Sequence, residues 1–188
     1  MSTPRVTVII CTYNRADLLR QTLAGAAQQD YPADALEVLV IDNNSRDATP
    51  SIVAEFAGAP HAPRHVLETA QGLDHARNRG LAEARGDILL FADDDIVVES
   101  DWVRQMAAPF IADSAGRIGC VGGEVVPVFP DGLPDWIREW HAPLAFRPDA
   151  GPVPPRDSPM GANFAFPRRV FDKIGPFAAG LDRKGASG

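Results

Sequence analysis

Short strand-like runs that alternate with helical patterns constrain the fold of this chain more than any other feature of its sequence. Strands are predicted for four β-branched or apolar runs, at residues 5–11, 36–43, 64–68 and 87–92. The run at 36–43 is continuously apolar, which is typical of a strand covered on both faces. Helices are predicted between and after the strands, at 15–29, 48–57, 73–86 and 100–111. This βαβαβαβ order predicts an α/β fold with a mostly parallel central sheet and helices on both faces.

The ends of the predicted helices carry residue types that favour caps or breaks. Side-chain caps are predicted at the four helix starts, from Asn14, Thr49, Asp74 and Ser100. Gly86 is predicted to close the third helix, and Pro109 to end or kink the fourth. Local signals therefore mark the starts of all four helices and the ends of two.

The alternation weakens after the fourth helix. Residues 120–129 and 161–167 are predicted strands, and residues 168–175 a short helix. Residues 130–160 are rich in Pro, Asp and Trp, and we expect a loop-rich insert there with a short helix around Trp136 to Trp140. At 188 residues the chain is long enough for one domain with a substantial core and hardly long enough for two.

Bulk composition excludes several classes of protein. The formal net charge of −7 argues against a nucleic-acid binder, which normally carries a basic face. Cys11 and Cys120 fit no zinc-binding spacing and are predicted to be reduced core residues. No signal peptide and no apolar run of membrane-spanning length is apparent, so we expect a cytoplasmic protein that can still work at the inner face of a membrane.

Polar residues follow three of the predicted strands. They are Thr12, Tyr13 and Asn14 after the first strand, Asp42 to Ser45 after the second, and Asp93 to Asp95 after the fourth. Because ligands of open parallel sheets bind beyond the carboxyl ends of the strands, these residues are expected to meet at one edge. The sequence therefore predicts a polar, partly acidic site at that edge.

The three consecutive carboxylates repel one another, and burial of any of them requires a compensating partner. In an extended segment Asp93 and Asp95 share a face, so both can converge on one divalent cation, Mg²⁺ or Mn²⁺. The alternative is an acidic loop in which Asp94 is solvated and its neighbours help to cap the next helix. The triplet alone leaves both interpretations open.

Two further residues also have a structural and a functional interpretation. Asp42 can start an Asx-turn at the end of its strand, or accept a hydrogen bond from a base or ribose. Arg77 lies in the first turn of its helix, where a cation opposes the helix dipole, so an anionic partner is worth considering. An exposed surface arginine is the alternative.

Four segments together resemble the family 2 glycosyltransferases, which have the GT-A fold. They are VIICTYNRADLLRQTL, VLVIDNNSRDAT, GLDHARNRGLAEARGDILLFADDDIVV and GANFAFPRRVFDKIGPF, in that order along the chain. The resemblance covers nearly the whole chain and is weakest at 128–158. It implies a GT-A-type nucleotide-binding sandwich and transfer of a sugar, with inversion, from a nucleotide-diphosphate donor linked to UDP, GDP or dTDP. Family members often act in polysaccharide biosynthesis.

The resemblance also implies roles for individual residues. Contacts to the nucleotide sugar are expected from Thr12, Tyr13, Asn14, Asp42, Asn44, Arg77, Asp93 and Asp94. A strand near the donor sugar and acceptor matches Gly161, Ala162 and Asn163. Asp95 is the expected direct ligand of a Mn²⁺ or Mg²⁺ ion, together with Asp93. Residues 1–127 are then the nucleotide-sugar-binding half of a single domain, and 128–188 part of the acceptor side.

The resemblance leaves one catalytic group without a match. The family's general base is an acidic residue in a motif after the GANFAF segment, and we expect it beyond Gly188, in a longer enzyme. Two alternatives remain: a non-catalytic nucleotide-sugar-binding fragment and a sugar-phosphate nucleotidyltransferase. The second lacks its usual Gly-rich phosphate loop, because CTYNRAD after the first strand contains no glycine. The acceptor, glycan or lipid-linked, is not indicated by the residues themselves.

Overall fold

A computed structural model describes residues 3–129 and 161–180, together with Gly132 and Gly151. The strands are β1 (Val6–Thr12), β2 (Leu36–Asp42), β3 (Arg64–Leu67), β4 (Ile88–Ala92), β5 (Val121–Gly122) and β6 (Asn163–Pro167). The helices are α1 (Ala16–Ala26), α2 (Thr49–Glu55), α3 (Leu73–Glu83), α4 (Trp102–Ala112) and α5 (Arg169–Ile174). The predicted helix around Trp136 to Trp140 lies outside the described residues.

One six-stranded sheet organises these elements, in the order β3-β2-β1-β4-β6-β5. The pairs β1–β2, β1–β4 and β2–β3 are parallel, and β6 is antiparallel to β4 and to β5. The predicted α/β fold with a mostly parallel sheet is confirmed. After β3 the chain returns across the sheet to place β4 beside β1, which creates a topological switch point between these two central strands.

Helices cover both faces of the sheet, as predicted. On one face, apolar residues of β1, β2 and β4 pack against α1, α2 and α4, with Leu19, Leu23 and Val103 fully buried. On the other face, alternate residues of the same strands pack against α3 and a cluster of phenylalanines that includes Phe91 and Phe164. Adjacent residues along a strand thus serve different layers, which explains why the central strands are continuously apolar.

The four N-cap positions are not the predicted residues, and none of the residues that occupy them makes a side-chain cap hydrogen bond: they are Arg15, Ala48, Gly72 and Asp101. Asp47 instead accepts backbone N–H bonds from both Ala16, at 2.9 Å, and Thr49, at 3.0 Å. One carboxylate therefore serves the first turns of α1 and α2, which are adjacent in space and 33 residues apart at their starts (49 − 16). The prediction missed Asp47 because its contact with α1 comes from a different loop, and because at α2 it stands one position before the N-cap Ala48.

The helix end predicted at Gly86 was also wrong, and of the two effects predicted for Pro109 the helix end is wrong while the kink stays a prediction. The helix α3 ends at Glu83, three residues before Gly86, and Ala84 is already extended. Gly86 is required for a different reason: an added Cβ would lie 2.5 Å from the Thr7 nitrogen and 2.7 Å from the Val6 carbonyl carbon. Pro109 does not end α4, which continues to Ala112.

The strand predicted at 120–129 is reduced to the two residues of β5. At Gly123 an added Cβ would collide with the side chain of Asn163, which reaches across to accept and donate hydrogen bonds. Pro127 lacks an N–H, and Val126 and Val128 are exposed. Steric and hydrogen-bonding constraints at this sheet edge therefore outweigh the β propensity of the segment.

Both cysteines are free thiols, partly buried rather than fully enclosed, and they pack against the phenylalanine-containing face of the sheet. Burial raises the pKa of Cys120 to about 11. Within 3–129 and 161–180, every helix is too short or too polar to cross a membrane.

We predict that Gly86→Ala lowers the free energy of unfolding by about 2 kcal/mol or more, because the new methyl group meets backbone that cannot rotate away. Chemical denaturation measures the change. Gly58→Ala is the matched control, since no atom lies within 4 Å of its added Cβ. Equal stability of the two variants would contradict the close approach of residue 86 to β1.

We predict that Asp47→Ala costs about 1–2 kcal/mol at neutral pH, because two helix starts lose an acceptor. Burial alone would raise the pKa of Asp47, but hydrogen bonds from Thr49 and Ala16 outweigh it and hold the pKa below its usual range. A lowered carboxyl pKa stabilises the fold above the unfolded-state pKa, and this contribution disappears as pH falls through the folded-state value.

We therefore expect the difference in unfolding free energy between Asp47→Ala and the unmodified chain, measured by denaturation from pH 7 to pH 3, to shrink as the pH falls. Asp34→Ala, in an exposed turn, is the control and should show little difference at either pH. A gap between Asp47→Ala and the unmodified chain that stays constant down to pH 3 would contradict the assignment.

Candidate functional site

The predicted site residues come together at the carboxyl edge of the central strands. Thr12 lies beside Asp42 in the β1–β2 register. Ala92, the last residue of β4, lies beside Asn163, the first residue of the antiparallel β6. The residues after β1, β2 and β4 and those around the start of β6 thus share one edge, at the switch point where α/β sheets bind ligands.

The acidic triplet is not extended, contrary to the premise of the sequence prediction. The strand ends at Ala92, and Asp94 and Asp95 form a turn. Asp94 is buried rather than solvated, which excludes the simple surface-loop interpretation of that residue. Asp93 is half-buried and Asp95 is exposed.

Arg15, at the start of α1, supplies the positive charge that the triplet requires. Its Nη1 donates to Asp94 at 2.7 Å, and its Nη2 donates to Asp95 at 2.9 Å. The Thr12 hydroxyl donates a further 2.7 Å hydrogen bond to the second oxygen of Asp94. The buried carboxylate is therefore satisfied on both oxygens by β1 and the residues that follow it.

Burial and charge act in opposite directions at this cluster. Burial raises the pKa of Asp94, whereas the hydrogen bond from Thr12 and the charge of Arg15 oppose the rise. Burial alone would lower the pKa of Arg15, but the charges of Asp94 and Asp95 outweigh it and leave the pKa raised. The guanidinium thus stays charged, and it is the internal counter-ion of the two carboxylates.

The carboxylates at this edge fit a hard divalent cation that takes most of its ligands from groups outside the protein. Among the described residues, no group of three or more His, Cys, Asp or Glu side chains is arranged to hold a metal ion by itself. Asp95 and Asp93 offer carboxylate oxygens at an accessible edge. Mg²⁺ and similar ions are commonly held in proteins by one or two carboxylates, with phosphate oxygens and water as the other ligands.

Asp42 accepts a backbone hydrogen bond from the loop after its strand, but from three residues on rather than from the two of an Asx-turn. One oxygen accepts the Ser45 N–H at 2.8 Å, and the other lies 3.1 Å from His65 Nε2. The residue is 1% exposed. Its second interpretation, as an acceptor for a base or ribose, stays a prediction, and it requires the turn to shift.

Asn43, which sequence reasoning passed over, fastens the loop that leads into α3. Its Nδ2 donates to the Ala70 carbonyl at 2.7 Å, and its Oδ1 accepts the Gly72 N–H at 2.8 Å. The asparagine is buried, so these bonds replace water. A polar residue close after a continuously apolar run was the available signal in the sequence.

The loops after β1 and β2 are joined through Asn14. Its N–H donates to Ser45 Oγ at 3.0 Å, and its Oδ1 accepts the Arg46 N–H at 2.7 Å. Asn14 and Asn44 both have positive φ, 52° and 67°, a conformation that asparagine tolerates better than most residues. Tyr13 lies between Thr12 and Asn14 and is half-buried.

Arg77 approaches the start of β6, and its predicted contact with the nucleotide stays a prediction. Its guanidinium lies over the rings of Phe164 and Phe177, at 5.5 and 5.7 Å from the ring centres. A Cβ added to Gly161 would lie 3.1 Å from Arg77 Nη2. Helix α3 thus places Arg77, a predicted nucleotide contact, beside the strand that is predicted to lie near the donor sugar and acceptor.

Asn163 holds neighbouring elements together at this edge. Its Oδ1 accepts the Trp102 Nε1–H at 3.0 Å, and its Nδ2 donates to the Glu124 carbonyl at 3.1 Å. Ala162 precedes it and is half-buried. These bonds give Asn163 a structural role, and its predicted role beside donor sugar and acceptor is untested by them.

Sequence reasoning missed Arg15 and the helix anchors around it, although Arg15 stands in one of the segments used for the family resemblance. Thr22 and Gln29 of the α1 region bind the chain that follows the triplet, at Ile96 and Glu99. Such contacts join residues about 70 positions apart and leave no local pattern. They fix the loop after Asp95 against α1.

Comparison with known proteins gives a family match over most of the chain. The model of glycosyl transferase family 2 matches residues 7–175. The glycosyltransferase AglE of Haloferax volcanii is 35% identical over 130 residues, which is 69% of this chain and 42% of AglE.

Two solved structures are also similar. The mannosyltransferase PcManGT from Pyrobaculum calidifontis, in complex with GDP-Man and Mn²⁺, has a TM-score of 0.69 and 30% identity, over 95% of this chain and 48% of that one. S. aureus TarS 1–349 in complex with UDP-GlcNAc has a TM-score of 0.59 and 27% identity, over 70% of this chain and 37% of that one. The chain spans less than half the length of each of these three proteins.

Proposed function

The chain belongs to glycosyl transferase family 2, and from this membership and the geometry of the edge we propose that it is the donor-binding part of an inverting, metal-assisted glycosyltransferase. The donor is a nucleotide-diphosphate sugar. Because the chain is shorter than its relatives, the activity, acceptor and further partners belong to the proposal.

One observation carries this proposal above the others. Thr12, Arg15 and Asp94 form a compact charged cluster at the switch point, with an exposed Asp95 facing outward from it. A structural salt bridge does not need an outward carboxylate at the ligand-binding edge of the sheet. A site for a cation and a diphosphate does.

We assign the nucleotide-sugar contacts to the residues around this cluster, namely Thr12, Tyr13, Asn14, Asp42, Asn44, Arg77, Asp93 and Asp94. Asp42 is proposed as the base-side acceptor, after a shift of the turn that it makes with Ser45. Each of its oxygens has a further lone pair for such a bond. Gly161, Ala162 and Asn163 are proposed to line the donor-sugar and acceptor side.

Asp95, with Asp93, is proposed to hold Mn²⁺ or Mg²⁺. Support comes from their chemistry as hard oxygen donors and from the Mn²⁺ present with GDP-Man in PcManGT. The cation supplies stabilisation of the negative charge that develops on the leaving nucleoside diphosphate. Thr12 and Arg15 hold Asp94 in place. The turn that contains Asp94 then places Asp95 at the edge of the sheet.

The remaining parts of the reaction are assigned by expectation. The general base is expected beyond Gly188, and residues 1–127 and 128–188 remain the predicted nucleotide-sugar and acceptor-side halves. GDP and UDP are both candidate nucleotides, since the two similar structures contain GDP-Man and UDP-GlcNAc.

We predict that Mn²⁺ raises the affinity of the chain for GDP or UDP, because Asp93 and Asp95 would hold the cation and the cation would offset the negative charge of the diphosphate. A thermal-shift panel with and without Mn²⁺, followed by calorimetry, measures this effect. Asp95→Ala should lose the metal-dependent gain, on the order of tenfold or more in Kd.

The matched control for Asp95→Ala is Asp87→Ala, which removes an exposed carboxylate at the opposite end of β4. This variant should retain the full metal effect. Nucleotide affinity that is the same with Mn²⁺ and with chelator would count against the proposal. Release of pyrophosphate from a nucleoside triphosphate would favour the nucleotidyltransferase instead.

We predict that Arg77→Ala weakens GDP or UDP binding by roughly tenfold in the presence of Mn²⁺, because a cation near the start of β6 is lost. Calorimetry gives the Kd, and denaturation shows whether stability changes. Arg79→Ala is the control, on the same helix and paired with Glu83. Equal nucleotide affinity of the two variants would remove Arg77 from the proposed site.

A further inference from the structure

The two hydrogen bonds of Arg15 lie in very different surroundings. The inner contact, to Asp94, joins a carboxylate whose side chain is 5% exposed. The outer contact, to Asp95, joins a carboxylate that is 39% exposed. Ion pairs in water contribute little, whereas a buried carboxylate that loses its partner is strongly destabilised. The outer contact is therefore the one that can be exchanged.

The outer contact also occupies the carboxylate that the proposed cation requires. A divalent cation on Asp95 would place like charges close to the guanidinium, at an edge where water screens them only in part. A cation and Arg15 Nη2 therefore compete for the same group. Asp94 is out of this competition, because it is buried and both of its oxygens are already bound by Arg15 and Thr12.

We propose that Arg15 is a positioning residue that acts as a placeholder for the cation: it holds Asp95 while no cation is bound, and its outer Nη2 is released to the diphosphate when the cation arrives. The inner contact to Asp94 persists in both states. This inference rests on the proposed function, since it assumes that a cation and a diphosphate bind at this edge.

Competition predicts opposite effects on two ligands. Without Arg15, a cation meets less positive charge and binds more tightly in the absence of nucleotide. The diphosphate, in contrast, loses a donor and binds more weakly when the cation is saturating. A purely structural role for Arg15 predicts weaker binding of both ligands, because a loosened turn presents Asp95 less well.

The test measures Mn²⁺ binding to the nucleotide-free chain, by electron paramagnetic resonance of free Mn²⁺, for Arg15→Gln and for Arg20→Gln. Arg20 lies on the same helix and pairs with Glu55, so its variant removes an equal charge away from the triplet. We expect Arg15→Gln to bind Mn²⁺ about 3- to 10-fold more tightly than the unmodified chain, and Arg20→Gln to match the unmodified chain within about twofold.

A second measurement uses GDP and UDP at saturating Mn²⁺, where Arg15→Gln should bind about 3- to 10-fold more weakly. Unchanged or weaker Mn²⁺ binding by Arg15→Gln would overturn the placeholder role, as would equal gains in the two variants. If Arg15→Gln fails to fold, Arg15→Lys decides the question. Lysine carries its charge on one nitrogen and lacks the fork with which Arg15 spans both carboxylates, so a lysine paired with the buried Asp94 should release Asp95 and again give tighter Mn²⁺ binding than in the unmodified chain.

The two proposals fail in different ways. Nucleotide binding that ignores Mn²⁺ in the unmodified chain contradicts the proposed function, whatever Arg15 does. Metal-dependent nucleotide binding together with unaltered Mn²⁺ affinity in Arg15→Gln contradicts the placeholder alone.

Discussion

Electrostatic repulsion among the three carboxylates after β4 is the constraint on which the rest of the site depends. Burial of Asp94 is tolerated because Thr12 and Arg15 bind its two oxygens from the neighbouring strand and helix. This arrangement connects β1, α1 and β4 at the switch point of the sheet. It also leaves Asp95 facing outward, where a ligand can reach it.

Most of the supporting contacts around the site join elements that are remote in sequence. Asp47 serves the starts of two helices, and Asn43 fastens the loop into α3. Gln29 binds the chain beyond the triplet on one side and the start of α4 on the other. A set of loops at one edge thus becomes a defined surface, because each loop is bound by a neighbour rather than by its own turn.

The parts of the fold that the sequence predicted well are those governed by periodicity. Runs such as 36–43 are long, apolar and bounded by polar residues, so both the strands and their mostly parallel arrangement could be predicted. The ends of the helices were predicted poorly, because the acceptor Asp47 and the closely packed Gly86 both contact other elements of the fold. The strand expected at 120–129 failed for the same reason, since Asn163 meets it from across the sheet edge.

The sequence by itself determined the alternation of strands and helices, the family, and which polar residues stand at the strand ends. Hydrophobic periodicity and strand-end position are local properties, so they can be read from the sequence without knowing which elements are neighbours in space. Only the tertiary structure decided that Arg15 balances the triplet, that Asp94 is the buried member, and that Asp95 stays accessible. Charge compensation joins side chains that are about 80 residues apart in sequence, and these come within hydrogen-bonding distance only after the sheet has formed.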